Sequence, residues 1–184
     1  MESRRVALVT GAGRGIGSAV ARRLAEDGLS LAVNDVDEEN ARQVVGELLD
    51  MGFDAVPVVG SVAVPESADH VIEMTRKKFG RLDVLVNNAG ATRPAMAHRM
   101  TNDAWDFVIG VALTGTFNMC RSAFNLLRAA EEGGDWANKK VINMSSINGI
   151  YGTAANVNYS AAKAGVNGLT RALSREWAPH GINV

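Results

Sequence analysis

The chain has 184 residues, of which 47% are hydrophobic and 21% charged, and it carries a formal net charge of −1. That length accommodates one domain with a sizeable core, and the composition is that of an ordinary globular protein. The balanced charge gives no electrostatic case for a nucleic acid or an anionic membrane as partner, the longest apolar runs are strand-sized rather than the roughly twenty residues of a membrane helix, and the N-terminus lacks the apolar stretch of a signal peptide.

In chain order, the first apolar strand, Val6–Thr10, opens the cluster Thr10-Gly11-Ala12-Gly13-Arg14-Gly15-Ile16-Gly17, and the cluster opens a helical pattern over Gly15–Glu26. Glycines at a strand-to-helix turn tolerate unusual backbone angles. They also let a pyrophosphate approach the main-chain N–H groups of a helix N-terminus. The second strand, Leu31–Asn34, is followed by Asp35, some twenty residues beyond the glycines, where a carboxylate can accept both adenosine ribose hydroxyls. Turn and acid together are a strong dinucleotide signal.

A helix over Glu38–Met51, a strand over Ala55–Val59, a helix over Ser67–Phe79 and a strand over Val84–Asn87 follow, with Gly28, Gly52 and Gly80 placed to stop the first three helices. The remainder reads as a helix over Thr101–Ala130, a polar loop over Glu131–Asn138, a strand over Val141–Met144, a helix over Asn158–Ala178 and the beginning of a sixth strand at Gly181–Val184. The strands are near-continuously apolar, which implies burial on both faces and a parallel sheet. With right-handed crossovers the expected fold is α/β: a single doubly wound, Rossmann-type domain spanning 1–184 with a mostly parallel sheet and no second domain. Ligands in such sheets bind at the C-terminal strand ends, and the chemistry-bearing residues stand there.

The last helix carries Tyr159 and Lys163 four residues apart, with Ser146 thirteen residues before the tyrosine. Positions i and i+4 share a helix face. A free tyrosine ionises near pH ~10, but a neighbouring cation and the positive end of a helix dipole favour the phenolate, which makes a general acid/base. Tyr-x-x-x-Lys alone is common by chance; its conjunction with the glycine turn is not. The single cysteine, Cys120, sits in an apolar helical context as a core or interface residue, excludes an internal disulfide framework and fits a reducing cytoplasm. His70, His98 and His180 are scattered without ligand spacing, so no metal site is expected.

With these motifs in hand, the chain resembles the short-chain dehydrogenases/reductases from Val6 to Val184. Thr10-Gly11-x-x-x-Gly15-Ile16-Gly17 matches that family's nucleotide motif, Asn87-Asn88-Ala89-Gly90 its second signature, and Ser146, Tyr159 and Lys163 its catalytic residues. The resemblance implies that Gly11, Gly13, Arg14, Gly15, Ile16 and Gly17 hold the pyrophosphate side and Asp35 the adenosine ribose. Ser61 and Val62 would then meet the adenine, Asn88, Ala89 and Gly90 would pass beneath the adenosine ribose and nicotinamide side, and Val111 would also contact the cofactor. Tyr159 would exchange the proton, Lys163 would hold the nicotinamide ribose and poise Tyr159, and Ser146 would bond the substrate oxygen. Ser145 competes for that last role, but the spacing to Tyr159 favours Ser146. Relatives pair through helices matching Thr101–Ala130 and Asn158–Ala178, which implies a homodimer or homotetramer.

Three departures from the family pattern stand out. Ser61 replaces the family's usual aspartate. Ala112, in Val111-Ala112-Leu113-Thr114-Gly115, stands where the family carries a proton-relaying asparagine. The chain stops at Val184, where the family continues through a Pro-Gly turn, a substrate-covering loop and a final strand, so the C-terminal part of the fold is expected to be missing from these 184 residues. For the cofactor, Asp35 would repel a 2′-phosphate and Val36 occupies a place where NADP-preferring relatives often have arginine, while Arg14 pulls the other way. NAD is expected ahead of NADP. The functional readings are an NAD(H)-dependent alcohol/ketone oxidoreductase, an NADPH-dependent 3-oxoacyl-thioester reductase, and a non-catalytic dinucleotide-binding protein. Thr92, Arg93, Met96, Asn148, Ile150, Tyr151 and Asn156 are expected to border the substrate pocket.

Overall fold

A computed structural model describes residues 4–128 and 139–184. Six parallel strands, β1 (Val6–Val9), β2 (Ser30–Asp35), β3 (Ala55–Val59), β4 (Val84–Asn87), β5 (Lys139–Asn143) and β6 (Ile182–Asn183), form one sheet in the order β3-β2-β1-β4-β5-β6. This is the doubly wound arrangement, and its switch point lies between β1 and β4, where the strand order reverses. Pro57, which lacks a donor for the ladder, is tolerated because β3 is an edge strand.

Helices cover both faces. α1 (Gly15–Glu26) and α2 (Glu38–Asp50) pack on the side to which Ala7, Val9, Leu31, Val33, Val84 and Val86 point. α3 (Pro65–Phe79), α5 (Gly115–Arg128) and α7 (Val157–Trp177) cover the opposite side, against Val6, Leu8, Leu85 and Val141. Alternate residues of β1 therefore enter different cores, and all four are buried. That is why the strand is apolar throughout rather than alternating. The expected helix stops hold: Gly28, Gly52 and Gly80 adopt φ of 90°, 84° and 75°.

The structure differs from the sequence reading in several places. The helix expected over Thr101–Ala130 is α4 (Asn102–Ile109), a π turn over Gly110–Thr114 and then α5; the final two residues expected in it, and the polar loop expected over 131–138, lie outside the described residues. Taken together, Asn102–Arg128 are long and apolar enough to cross a membrane by length and composition, a run that strand-sized apolar segments did not suggest. The buried side of this stretch, including Met119, Cys120, Ala123 and Leu127, faces the sheet, as in a core helix. α3 starts two residues early because Pro65 suits a first helical turn. β5 ends at Asn143, one residue before the expected Met144, and a short helix α6 (Asn148–Tyr151) follows it.

Candidate active site

The glycine turn is built by close approach. A side chain on Gly17 would bring a Cβ within 2.2 Å of the Gly11 carbonyl and 2.6 Å of the Asn88 side-chain nitrogen, so only glycine fits. Arg14 caps α1 without a side-chain hydrogen bond, and no acid occupies the first turn. The helix N-terminus thus keeps donors and a positive dipole end for a phosphate. Asn88 braces this turn. Its Nδ2 donates to the carbonyls of Thr10 (2.9 Å) and Gly11 (3.1 Å), while the Thr10 hydroxyl accepts from the backbone N–H groups of Asn88 and Ala89, both at 3.0 Å. Thr10 and Asn88 therefore clamp the ends of β1 and β4 together across the switch point. The motif letters contained both residues but not this bracing role.

Asp35 ends β2 with its carboxylate held by two backbone donors, Gly13 N at 2.9 Å and Asp37 N at 3.1 Å. It is thereby presented on the rim beside the glycine turn, with Val36 exposed next to it. Ser61 follows β3 and accepts from Ala63 N (3.3 Å). Val62 turns inward: it is 5% exposed, its side chain crowds Gly115, and its carbonyl accepts from Asn118 Nδ2 (3.0 Å). Val111 lies in the π turn, half-buried against the core.

A cavity of about 250 Å³ opens at the C-terminal strand ends, and Ile16, Asn88, Gly90, Ser145, Tyr159 and Lys163 are among the residues lining it. Residues separated by almost the whole chain thus share one space. Tyr159 lies in the first turn of α7, its N–H accepted by Asn158 Oδ1 (2.8 Å), and Asn158 Nδ2 ties that turn to the carbonyls of Arg93 (3.0 Å) and Ala104 (3.1 Å). Lys163 Nζ stands 5.6 Å from the Tyr159 ring centre and donates to the Met144 carbonyl at 2.6 Å. At 3% exposure, burial lowers the pKa of its ammonium below the ordinary lysine value.

Ser145 lines the cavity and donates to the Lys163 carbonyl (3.1 Å), whereas Ser146 is not among the lining residues and its hydroxyl accepts from Asn148 N (3.2 Å). Of the expected pocket border, Thr92 lines the cavity. Ala95 bridges Asn156, and between the two loops Ala95 N donates to the Ala155 carbonyl (2.8 Å). Ala155 is the one described non-glycine residue with positive φ, at 61°. Cys120 is 1% exposed and burial pushes its thiol up to about 12, so it is a core residue and no nucleophile.

Ala112 is fully buried in the π turn, and its carbonyl accepts from Thr116 Oγ1 (2.9 Å). The wider turn, a feature frequent at functional sites, forms here with a methyl in place of an amide side chain. Ala112→Asn is expected to raise turnover several-fold or shift the pH–rate profile, within the ~1 kcal/mol of one good hydrogen bond. Overpacking is expected to lower stability by about 1–3 kcal/mol. Kinetics and thermal unfolding on the same preparation check this; unchanged stability together with a superimposable pH profile would show that the amide is irrelevant here.

Residues 5–184 match the family model described as short chain dehydrogenase. A 3-oxoacyl-[acyl-carrier-protein] reductase of Synechocystis sp. is 42% identical over 180 residues, covering 97% of this chain and 70% of that protein. The 3-oxoacyl-[acyl-carrier-protein] reductase FabG of Staphylococcus aureus is 41% identical over 185 residues, covering 100% of this chain and 73% of that protein. A crystal structure of a short chain dehydrogenase from Mycobacterium avium superposes with a TM-score of 0.92 at 37% identity, covering 98% of this chain and 65% of that one. The chain thus spans between about two thirds and three quarters of the length of these proteins.

Proposed function

The chain belongs to the short-chain dehydrogenase family, and from that premise we propose that it catalyses hydride transfer between a nicotinamide dinucleotide and a carbonyl or carbinol carbon, with Tyr159 as general acid/base. The observation that carries this reading is the shared cavity, in which Tyr159 and Lys163 face Ile16 of the glycine turn and Asn88 and Gly90 of the loop after β4. The uncapped N-terminus of α1 and the glycine-only approach at Gly17 fit a dinucleotide pyrophosphate. When bound, the nicotinamide supplies or accepts the hydride. Tyr159 gives the substrate oxygen its proton in reduction or removes it in oxidation, Lys163 holds ribose hydroxyls and keeps positive charge beside the phenol, and a serine at the end of β5, Ser146 by its spacing, donates to the oxygen as negative charge develops.

For the substrate, the names of the relatives favour a 3-oxoacyl thioester. The second reading, an alcohol or ketone oxidised or reduced with NAD(H), is supported by the Asp35 carboxylate. Purified protein mixed with a 3-oxoacyl thioester and, separately, with a panel of simple ketones and alcohols, each with either dinucleotide, distinguishes them by the change in reduced-nicotinamide absorbance. Cofactor binding without turnover on any substrate would favour a non-catalytic binding protein.

The cofactor reading is NAD ahead of NADP. A fixed carboxylate beside a 2′-phosphate is repulsive, and Val36 offers no compensating cation. NAD(H) is expected to bind at least about tenfold more tightly than NADP(H), roughly 1.4 kcal/mol, and Asp35→Ala is expected to shrink the gap. Calorimetric dissociation constants check this; tighter NADP binding by the parent would overturn it. Trp105, Phe107 and Phe117, between 37% and 45% exposed on α4 and α5, support pairing with a second copy in a homodimer or homotetramer. The lone buried thiol suits the cytoplasm.

A further inference from the structure

Three successive residues at the end of β5 are each bonded to α7. Asn143 Nδ2 donates to Thr170 Oγ1 (3.0 Å), the Met144 carbonyl accepts from Lys163 Nζ (2.6 Å), and Ser145 Oγ donates to the Lys163 carbonyl (3.1 Å). The first of these continues in both directions. Thr170 Oγ1 donates to the Val166 carbonyl (2.8 Å), and Asn143 Oδ1 accepts from Asn87 Nδ2 (2.8 Å), its register partner on β4. Asn87 is 2% exposed, and its Nδ2 also reaches Cys120 Sγ on α5 (3.2 Å). The chain of donors is therefore directed: Asn87 to Asn143 to Thr170 to the backbone of α7. Reversing the Asn143 amide alone would set its NH2 against the Asn87 NH2, so the two amides keep this order together.

This chain crosses the seam on which the proposed chemistry depends. β5 leads directly into Ser145 and Ser146, and α7 carries Tyr159 and Lys163. Thr170 follows Lys163 by seven residues, two helical turns, so both side chains lie on the helix face turned toward β5. A bond at Thr170 resists both sliding and rotation of α7 against the strand, and thereby sets the separation of the serine and tyrosine hydroxyls. Resting on the proposed hydride transfer, we propose that Asn143 and Thr170 are positioning residues, anchored by Asn87, that hold the Tyr159–Lys163 helix in register with the serine-bearing end of β5. Neither lines the cavity, and both act through the residues that do.

The test compares Thr170→Val, which removes the hydroxyl and keeps the branched shape, with Thr170→Ser, which keeps the hydroxyl. The valine variant is expected to lose about tenfold or more in kcat, with the pH–rate profile displaced and dinucleotide affinity within about twofold of the parent, since small misplacements of reacting groups are costly in rate. The serine variant is expected to recover most of the parent's kcat. A valine variant that melts at a lower temperature yet keeps the parent's kcat and pH profile would reduce the chain to a structural role and overturn the proposal. Should valine prevent folding, Thr170→Ala, which leaves room for a water beside the Asn143 amide, gives the same comparison. The parent is assayed alongside: a parent without turnover sinks the underlying reading and the proposal with it, whereas an active parent with an unaffected valine variant sinks the proposal alone.

Discussion

Replacing Tyr159 by phenylalanine is expected to lower kcat by about three orders of magnitude while dinucleotide affinity stays within a few-fold of the parent. The size follows from the ~10²–10⁴-fold that a positioned proton donor contributes. The selectivity follows from geometry. Tyr159 is held by its backbone bond to Asn158 and by the fixed first turn of α7, neither of which involves the hydroxyl, so a phenylalanine ring keeps the same place and loses only the transferable proton. Lys163→Ala is expected to harm both binding and turnover. Its ammonium stands beside the Tyr159 ring and is buried against the Met144 carbonyl, from where, on the proposed mechanism, it would serve phenol and ribose together. Steady-state kinetics paired with calorimetric titration of the dinucleotide separate the two outcomes. Activity of the phenylalanine variant within a few-fold of the parent would remove Tyr159 from the mechanism.

The second large effect lies at the opposite end of the sheet. Asp83, 2% exposed just before β4, receives two bonds from Arg81 (both 2.8 Å), one from Lys139 Nζ (2.7 Å) and one from the backbone N–H of Val6 (2.8 Å). Burial pushes its carboxyl pKa upward, yet the bonds from Arg81, Lys139 and Val6 prevail and hold it below the ordinary carboxylate value. Removing the carboxylate takes the counter-charge from buried Lys139, whose Nζ keeps its bond to the Leu82 carbonyl (3.1 Å), and strands the Val6 backbone donor, so Asp83→Ala is expected to destabilise by about 3 kcal/mol. At this chain length that lowers Tm by about 6–12 °C. The sign of the pH dependence follows from the lowered pKa. The stabilisation is fully present above the unfolded-state value near ~4 and is lost as pH falls through the folded-state value. Denaturant unfolding of parent and variant should therefore differ most near neutrality and converge in acid. A difference below about 1 kcal/mol at neutral pH, or a gap that widens in acid, would contradict this account. Because the cluster sits at the N-terminal strand ends, kcat per folded molecule should be unchanged.

Much of this protein was readable from its residues because the information is local. β1 and β4 are apolar in unbroken runs, so a parallel sheet covered on both faces followed from the letters. The glycine turn, Asp35 and the Tyr159–Lys163 spacing each depend on short-range geometry, a strand-to-helix turn or one helical turn, which sequence encodes directly. The site residues Asn88, Gly90, Tyr159 and Lys163 then gather in one cavity because parallel topology brings every strand's C-terminal end to the same edge.

What the tertiary structure alone decided concerns contacts between distant segments and backbone departures from regular repeats. The break between α4 and α5 at Gly110–Thr114 is invisible to a 3.6-residue pattern, since a π turn adds one residue without changing which residues are apolar. Asn88 read as a cofactor contact, yet its amide also braces the glycine turn from 77 and 78 residues away. Val62 also read as a cofactor contact; its side chain turns inward, because Gly115 leaves room for it, and no pattern within either segment records that fit. Asp83 and Lys139, and likewise Asn87, Asn143 and Thr170, are ordinary polar letters until the sheet and α7 bring them within hydrogen-bond reach. Local sequence thus determined which elements form and where the candidate site residues stand. Packing decided which buried polar side chains hold those elements in register, because a hydrogen bond's partner is set by space rather than by chain order.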